Sequence, residues 1–256
     1  MKDKIGEYWG QVAGELDLRE EEKVLAGDDD YYYRYKRKKF LQQLSGITKW
    51  KDKSVLEYGC GPGGNLKYLN GLGVNTLTGV DVSGVMLKLA RKNTADIGKV
   101  NLFLNDGKDI PVERNSKDIV FTSTVLQHNV NDEKVAGIIR ELCRVSSDIV
   151  LLCEDTSPKR RELHAHFVSR PVDFYKKQVE ENGYEYQTAE FLDIQISYYA
   201  LGSIRKLFSL GGRKEGEPLS SFGLKMQKYV WALTKRMDPL YQSEKGLTLM
   251  LFRKKS

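Results

Sequence analysis

The sequence predicts an α/β protein built on a parallel β-sheet with helices on both faces. Short apolar runs of strand length alternate with helical segments between residue 54 and about residue 153. A glycine-rich segment, residues 59–64, follows the first of these runs directly. Because parallel strands need a crossover connection, and a helix is its usual form, this alternation predicts right-handed βαβ units rather than an antiparallel sheet.

The predicted elements follow one another without an internal repeat. We expect strands over residues 54–58, 76–81, 100–105, 118–122 and 148–153. The helices between them cover residues 65–72, 85–93 and about 132–145, and Ser83 is placed to cap the second of these. A helix over 170–182, a strand near 186–196 and a last strand over 246–253 complete the series.

Two further regions flank this core. Residues 1–50 are polar and helical in pattern, and an aromatic and basic segment leads to a helix that Gly46 ends, so we expect an N-terminal helical cap. Residues 200–245 carry two helices and a glycine-rich loop at 211–218. Because this stretch is too long for a plain connector, we expect a helical insertion within a main domain of residues 51–256.

The composition is that of a soluble globular domain, with 40% hydrophobic and 30% charged residues. No apolar run approaches the ~20 residues that cross a bilayer, and the first residues lack the apolar region of a secretory signal. The three cysteines, Cys60, Cys143 and Cys153, lack zinc-site spacing. We therefore expect free thiols in the cytoplasm and no metal. The net charge of +6 is mixed with acidic clusters, which permits a nucleic-acid partner without requiring one.

The glycine loop and the acid behind it predict a nucleoside site. Asp81 ends the second predicted strand, where its carboxylate can accept hydrogen bonds from ribose hydroxyls. The spacing of Gly59, Gly61 and Gly64 also fits a dinucleotide fingerprint. Glu57 argues against that alternative, because a carboxylate in a buried strand costs several kcal/mol unless it is paired. A cationic ligand that carries an amino group and a sulfonium would keep it charged.

Four segments then resemble, in order, the motifs of class I S-adenosylmethionine-dependent methyltransferases. Residues 55–63 (VLEYGCGPG) are similar to the first motif and residues 79–83 (GVDVS) to the second. Residues 104–107 (LNDG) and 118–128 (DIVFTSTVLQH) are similar to the third motif and to the segment that passes the methionine part. The resemblance implies S-adenosylmethionine as cofactor. It also implies a Rossmann-like, seven-stranded, mostly parallel sheet whose antiparallel last strand is residues 246–253.

The resemblance also implies roles for individual residues. Glu57 would meet the methionine amino group, directly or through water, and the segment with Thr122 would pass the methionine part. Gly59, Gly61 and Gly63 would allow close approach of the cofactor to the backbone, and Asp81 would hold the ribose. Val82 would pack on the adenine face, and Asp106 with Gly107 would bind the adenine edge. Asp81 as a capping acid and residues 105–107 as an ordinary turn remain alternatives.

Histidines supply the candidates for acid–base chemistry. Methyl transfer is an in-line displacement, so alignment supplies much of the rate, and a base is needed only for a hydroxyl or a protonated amine. His128 is the first candidate, with loop orientation as its alternative. His166, with His164 beside it, could line the acceptor pocket or lie on the surface. On a helix, a spacing of two would put these two histidines on different faces, so no metal pair is expected.

The aromatic and basic segment at 31–40 is the second part of the predicted site. On a helix, Tyr33 and Arg37 share a face, so Tyr33 could cover the sulfonium and Arg37 could hold the methionine carboxylate. A nucleic-acid patch and a plain packing helix are the alternatives.

The acceptor is the open part of the prediction. We expect a methyltransferase that acts on a hydroxyl or amine of a small molecule, a sugar or a lipid-linked acceptor, as a monomer or homodimer. A tRNA or rRNA methyltransferase is the alternative, although no Asn-Pro-Pro-Tyr motif follows the fourth strand and no RNA-binding domain is visible. An NAD-dependent oxidoreductase and a non-catalytic cofactor-binding protein are further alternatives.

Overall fold

The computed structural model describes residues 30–98, 100–164, 166–208 and 219–255, with the side chains of residues 163 and 164 left aside. The first 29 residues of the predicted cap and the predicted glycine-rich loop at 211–218 lie outside these ranges. The described chain forms one seven-stranded sheet, a small hairpin and helices around them. In that part of the chain, no helix is long and apolar enough to cross a membrane.

The strands agree closely with the predicted ones. Those of the main sheet are β1 (Ser54–Tyr58), β2 (Thr76–Asp81), β3 (Val100–Leu104), β4 (Lys117–Ser123), β5 (Ser146–Thr156), β8 (Tyr184–Phe191) and β9 (Gly246–Lys254). Their order is β3-β2-β1-β4-β5-β9-β8. The first five strands run parallel, and β9 runs antiparallel to both β5 and β8. The predicted fold, with its antiparallel last strand, is confirmed.

The helices cover both faces of this sheet. They are α1 (Tyr31–Gly46), α2 (Gly64–Asn70), α3 (Gly84–Asn93), α4 (Asp132–Val145), α5 (Val172–Glu180), α6 (Gln195–Leu207) and α7 (Ser221–Met237). Ser83 caps α3 as predicted, because its side chain accepts a hydrogen bond from the Met86 amide. The two helices expected in the insertion are α6 and α7.

Two hydrophobic clusters pack on opposite faces of the sheet. Side chains of α1, α2, α3 and α6 cover one face, where they meet Val55, Leu77 and Ile119. Side chains of α4 and α5 cover the other face, where they meet Leu56 and Val120. Neighbouring residues of β1 and β4 therefore point to opposite layers, as the two-residue period of a strand requires. This arrangement leaves the carboxyl ends of the parallel strands together at one edge.

One local element was not predicted, and another was predicted with the wrong bounds. The segment with His164 and His166 forms a β-hairpin, β6 (Arg161–His164) and β7 (Phe167–Ser169), where no strand was expected. The strand expected near 186–196 ends at Phe191, because the chain turns there and α6 begins at Gln195. Both errors lie on the side of the molecule where the acceptor is expected, beyond the alternating pattern that defined the core.

Candidate functional site

The glycine loop turns sharply at the carboxyl end of β1. Gly59, Gly61 and Gly63 have φ of 72°, 50° and 83°, a left-handed region that favours glycine. The Gly59 amide donates to the Val80 carbonyl at 2.7 Å, which ties the loop to the end of β2. A Cβ on Gly59 would lie 2.3 Å from Val125 Cγ2, so the loop also packs tightly on the segment after β4. The predicted close backbone approach therefore has a physical basis.

Asp81 organises this loop from the end of β2. One carboxylate oxygen accepts from the Gly61 amide at 2.9 Å, and the other accepts from the Ser83 amide at 2.8 Å. Burial raises the pKa of Asp81, and these backbone hydrogen bonds oppose the rise. Each oxygen keeps a second lone pair, so the carboxylate remains able to accept from ribose hydroxyls. The capping alternative and the ligand role are thus compatible in one side chain.

Glu57 is buried under the same loop. Its Oε1 accepts from Asn65 Nδ2 at 2.6 Å, while its Oε2 is buried without a hydrogen-bond partner among the described residues. Burial raises its pKa to about 8, and the Asn65 amide and the Arg37 charge oppose the rise. Asn65 Oδ1 in turn accepts from the Arg37 guanidinium. A buried acid with a spare oxygen suits a cationic ligand, which would favour its charged form.

Asn65 is one residue of the candidate site that was not predicted from the sequence. It lies on the buried face of α2 and connects Glu57 of β1 with Arg37 of α1. The signal was present in the sequence, since a polar residue occupies a buried position one residue after the glycine segment. Arg37 was predicted to hold a ligand carboxylate; the structure places it beside Asn65, within electrostatic range of Glu57.

Tyr33 lies on the same helix but faces a different neighbour. Its ring is half-buried, with the Arg205 guanidinium of α6 5.0 Å from the ring centroid and the Tyr32 ring edge-on at 5.0 Å. Thus α1 and α6 share an aromatic and cationic contact at Tyr33. A role for this ring at the sulfonium stays a prediction.

The predicted adenine residues follow β2 and β3. Val82 is half-buried directly after Asp81. Asp106 is exposed, and its Oδ1 accepts from the amides of Lys108 and Asp109, which holds its pKa below the usual range. Gly107 is buried, with φ of 79°. The turn alternative for Asp106 is therefore present in the structure, with the second carboxylate oxygen outside the turn; the adenine contact stays a prediction.

The segment after β4 is held by Glu154 at the end of β5. The Glu154 carboxylate accepts from the Val125 and Gln127 amides, both at 3.2 Å, and from the Thr122 hydroxyl at 3.5 Å. It thereby caps the short 3₁₀ helix Leu126–His128, where amides at the helix N-terminus, which lack a partner within the helix, favour an anion. Burial raises its pKa to about 7 against these hydrogen bonds. Thr122, predicted near the methionine part, is fully buried and points to Glu154.

Two features show that this segment is held in a fixed conformation. Thr124 has φ of 57°, an unusual value for a β-branched residue, and such strain persists where surrounding contacts impose it. The buried Arg170 side chain donates to the Leu126 and Asn129 carbonyls at 3.3 and 2.6 Å, and to Asp132 at 2.8 Å. Arg170 was not predicted as a site residue, and its hydrogen bonds hold the backbone of this segment in place.

His128 ends the 3₁₀ helix in a defined orientation. Its Nδ1 lies 3.2 Å from the His166 carbonyl oxygen, which only accepts, so Nδ1 carries the proton. The Nε2 lone pair of the neutral ring then faces the Gln127 amide nitrogen at a long 3.5 Å. The Phe167 ring packs edge-on at 5.5 Å. His166, the second predicted histidine, has an exposed side chain and meets His128 through its main chain.

Asp155 is the half-buried acid that faces the acceptor side. It accepts from the Ser169 hydroxyl at 2.9 Å, and its amide donates to Gln127 Oε1 at 2.8 Å. Burial raises its pKa, and Ser169 and the Lys36 charge oppose that rise. The Lys36 pKa is lowered by burial, with Asp155 as the opposing charge. Lys36 of α1 and Asp155 of β5 therefore lie within electrostatic range of each other.

The sheet order and the site together define the class of domain. A glycine loop after β1, an acid after β2 and an antiparallel β9 between β5 and β8 form the class I methyltransferase arrangement. A family described as a methyltransferase domain matches residues 55–148. This match covers the segment that holds the four motifs, and it agrees with their resemblance to class I S-adenosylmethionine-dependent methyltransferases.

Known proteins agree with this assignment at the level of the fold. The magnesium protoporphyrin IX methyltransferase of Synechocystis PCC 6803, solved with S-adenosylmethionine, is 13% identical, with a TM-score of 0.60, over 98% of this chain and 95% of that chain. An S-adenosylmethionine-dependent methyltransferase of Mesorhizobium loti is 14% identical, with a TM-score of 0.54, over 87% and 97% of the two chains. The 4+2 cyclase SpnF is 16% identical, with a TM-score of 0.69, over 98% and 96%.

A curated relative matches a shorter stretch. A 37.1 kDa protein in transposon TN4556 of Streptomyces fradiae is 31% identical over 103 residues. That match covers 39% of this chain and 29% of the relative, so it supports the shared domain alone.

Proposed function

We propose that this protein transfers a methyl group from S-adenosylmethionine to a hydroxyl or amine of a small molecule, a sugar or a lipid-linked acceptor. The observation that carries the proposal is the buried Glu57 carboxylate under the glycine loop, whose second oxygen has no hydrogen-bond partner in the described part of the chain. A ligand with a cationic amino group accounts for it. An NAD-dependent oxidoreductase is less well supported, since a pyrophosphate beside this acid would disfavour its ionised form and offers no cationic group to its second oxygen.

The cofactor would lie across the carboxyl ends of β1, β2 and β3. In this proposal the methionine amino group is held near Glu57, and the ribose hydroxyls are held by Asp81. The adenine lies between Val82 and the turn of Asp106 and Gly107. S-Adenosylmethionine supplies an activated methyl group, and the chain supplies position, charge and exclusion of water.

The acceptor would enter between α1, the end of β5 and the β6–β7 hairpin. Lys36 of α1 and Asp155 of β5 offer opposite charges there, and His128 approaches from the 3₁₀ helix. Such a pocket fits a polar acceptor with hydrogen-bonding groups. Among the similar structures, the porphyrin methyltransferase and the cyclase differ in what they act on, so the fold alone leaves the acceptor open.

Binding and turnover test the proposal separately. Calorimetry should detect S-adenosylmethionine and not NAD, and product-mass screens with acceptor pools should detect a gain of one methyl group. Preferential NAD binding would overturn the proposal. Binding of S-adenosylmethionine without methyl transfer to a compound in any acceptor pool would instead favour a non-methylating reaction, as in the cyclase. A salt-dependent RNA shift would favour the RNA alternative.

We expect Asp81→Asn to weaken S-adenosylmethionine binding by at least about tenfold, because charge-assisted hydrogen bonds contribute about 1.5–3 kcal/mol. The matched control is Asp96→Asn, since Asp96 is exposed and paired with Lys67. Calorimetry measures both variants. Equal affinity in the Asp81 variant and the wild type would remove Asp81 from the site.

For His128 we propose the role of general base through Nε2. The His128→Asn amide would keep a donor near the His166 carbonyl but lacks a base, whereas His128→Ala lacks both. A base role predicts that both variants lose about 100-fold or more in kcat, with loss of the acidic limb of the pH profile. If the asparagine variant keeps its turnover, His128 is a positioning residue. His166→Ala tests the other predicted histidine in the same assay.

A further inference from the structure

Helix α7 exposes its large apolar side chains to solvent. Phe222, Tyr229 and Leu233 are 62%, 73% and 68% exposed, and Met226 and Met237 are also exposed. These positions repeat every three or four residues, so they form one stripe along the helix, which we call the α7 stripe. Leu240, in the turn after α7, is 82% exposed and lies just beyond the stripe.

The fully buried positions of α7 are small or polar. Gly223, Gln227 and Thr234 face the protein, and the partly buried Val230 and Trp231 pack beside them on the core. Gln227 accepts from the Tyr31 amide at 3.2 Å and donates to the Leu201 carbonyl at 3.4 Å. The Ser197 hydroxyl of α6 lies 2.9 Å from that of Thr234. A surface helix usually buries its large apolar side chains, so the five exposed residues of the α7 stripe indicate an external occupant.

The charge around the α7 stripe defines the chemistry of that occupant. Helix α7 carries four basic residues, and neither α6 nor α7 contains an aspartate or a glutamate. At 100° per residue, Lys225 and Arg236 fall at one border of the stripe, with Lys228 and Lys235 further round the helix. The occupant should therefore present an apolar region bordered by negative charge.

A second copy of this chain fits poorly. In a two-fold symmetric pair each stripe meets the same stripe; an antiparallel pair would bring the basic borders of the two copies together, and in a parallel pair neither border would meet negative charge from α6 or α7. An anionic lipid surface satisfies both features, because the acyl region takes the apolar stripe and the headgroups take the lysine and arginine side chains. Tyr229 has the ring chemistry of the membrane interface.

We propose that α7 lies in the plane of an anionic lipid surface and holds the protein there. The helix is an interfacial element and not a span, since no described helix meets the requirements of a membrane span. It packs on α1 through Trp231, whose ring lies 5.9 Å from that of Tyr31. The lipid surface would thus lie near α1, the helix that borders the proposed entrance for the acceptor. Docking does not depend on methyl transfer, so each proposal fails separately.

Vesicle co-sedimentation of the full chain tests the proposal. Vesicles of phosphatidylcholine with phosphatidylglycerol should bind the protein at low salt, and vesicles of phosphatidylcholine alone should bind it much less. Combining Phe222→Ser, Tyr229→Ser and Leu233→Ser should abolish sedimentation. Lys225→Gln with Arg236→Gln should lower the partition coefficient by about fivefold for each charge removed.

Matched controls separate this surface from general effects. Phe103→Ser removes an exposed aromatic residue from edge strand β3, and Lys177→Gln removes an exposed charge from α5; both should bind like the wild type. Thermal unfolding should show that the serine variants remain folded. No binding to anionic vesicles, or binding that the stripe variants leave unchanged, overturns the proposal. A wild-type dimer in light scattering that the stripe variants dissociate would give the stripe to a second copy instead, and overturn it too.

Discussion

Glu57 is a carboxylic acid in the interior of a parallel strand. The pKa of about 8 means that the folded, ligand-free protein holds a proton near neutral pH that an exposed glutamate would release. A cationic ligand would reverse this preference by favouring the ionised form. The same residue therefore connects the stability of the empty protein with its affinity for cofactor.

We predict that Glu57 lowers the stability of the folded, ligand-free protein as the pH rises. Its pKa rises from 4.5 in the unfolded chain to about 8 in the folded one, so its contribution to stability is complete below about pH 4.5 and is lost as the pH rises towards 8. Glu57→Gln lacks this dependence. Relative to that variant, the wild type should lose at least about 1.4 kcal/mol across this window, the equivalent of one pKa unit.

Urea unfolding at several pH values measures that difference. Glu154 also titrates in this range, but it is present in both proteins and cancels from the comparison. Glu185→Gln, at an exposed position of β8, serves as the control and should match the wild type throughout. Parallel pH profiles for the wild type and the Glu57 variant would contradict the prediction.

Gly59 illustrates a position where the backbone decides the residue. Gly59→Ala should destabilise the protein by about 2 kcal/mol or more, from left-handed strain and from overpacking against Val125. Gly137→Ala is the matched control, because its new methyl group meets no atom within 4 Å on helix α4. It should stabilise by about 0.5–1 kcal/mol. Denaturant midpoints of both variants check the contrast; equal midpoints would refute it.

Among the elements, α1 depends on α7 for its start. The Gln227 side chain accepts from the Tyr31 amide, and its amide nitrogen lies 3.4 Å from Asp30 Oδ2, where Asp30 caps α1 through the Tyr33 amide. Arg205 of α6 adds an ion pair to Asp30 at 3.7 Å. Three helices therefore meet at one buried carboxylate, which holds the helix that carries Arg37.

Gln227→Leu should cost about 1–3 kcal/mol of stability, because it leaves the Tyr31 amide and the Leu201 carbonyl without this partner. Gln42→Leu, at an exposed position of α1, should change stability by less than about 0.5 kcal/mol. Chemical denaturation compares the two. A loss of stability as small as that of Gln42→Leu would contradict this prediction and show that water replaces the Gln227 hydrogen bonds.

Element by element, predictability followed the local signal. The strands β1, β2 and β4 and the helix α4 were predicted closely, since apolar runs, glycines and capping residues agree there. The β6–β7 hairpin was missed because its charged sequence, RELH, has no strand periodicity and depends on pairing with residues 167–169. Strand β8 was predicted to extend too far because Leu192 and Ile194 continue its apolar pattern. Both side chains pack in the core after the strand has ended.

For the whole molecule, the sequence predicted the layers but not every neighbour. Alternation of strands and helices required a parallel sheet, whereas the antiparallel direction of β9 was expected from the family resemblance alone, and its place between β5 and β8 was not predicted. The positions of Glu57 and Asp81 near the ends of β1 and β2 were predictable from the strand pattern, and their ligand roles stay predictions. Asn65 and Arg170 were not predicted, because their roles depend on partners 28 and 44 residues away.

The end of β5 divides two tasks between adjacent residues. Glu154 points to the segment after β4, where three hydrogen bonds fix it, and Asp155 points to Ser169 and Lys36. For directed evolution of acceptor preference, randomised libraries belong on the Asp155 side, where the proposed acceptor would enter. Codons for Glu154 and its partners are better left fixed, because variation there would disturb the segment that carries His128.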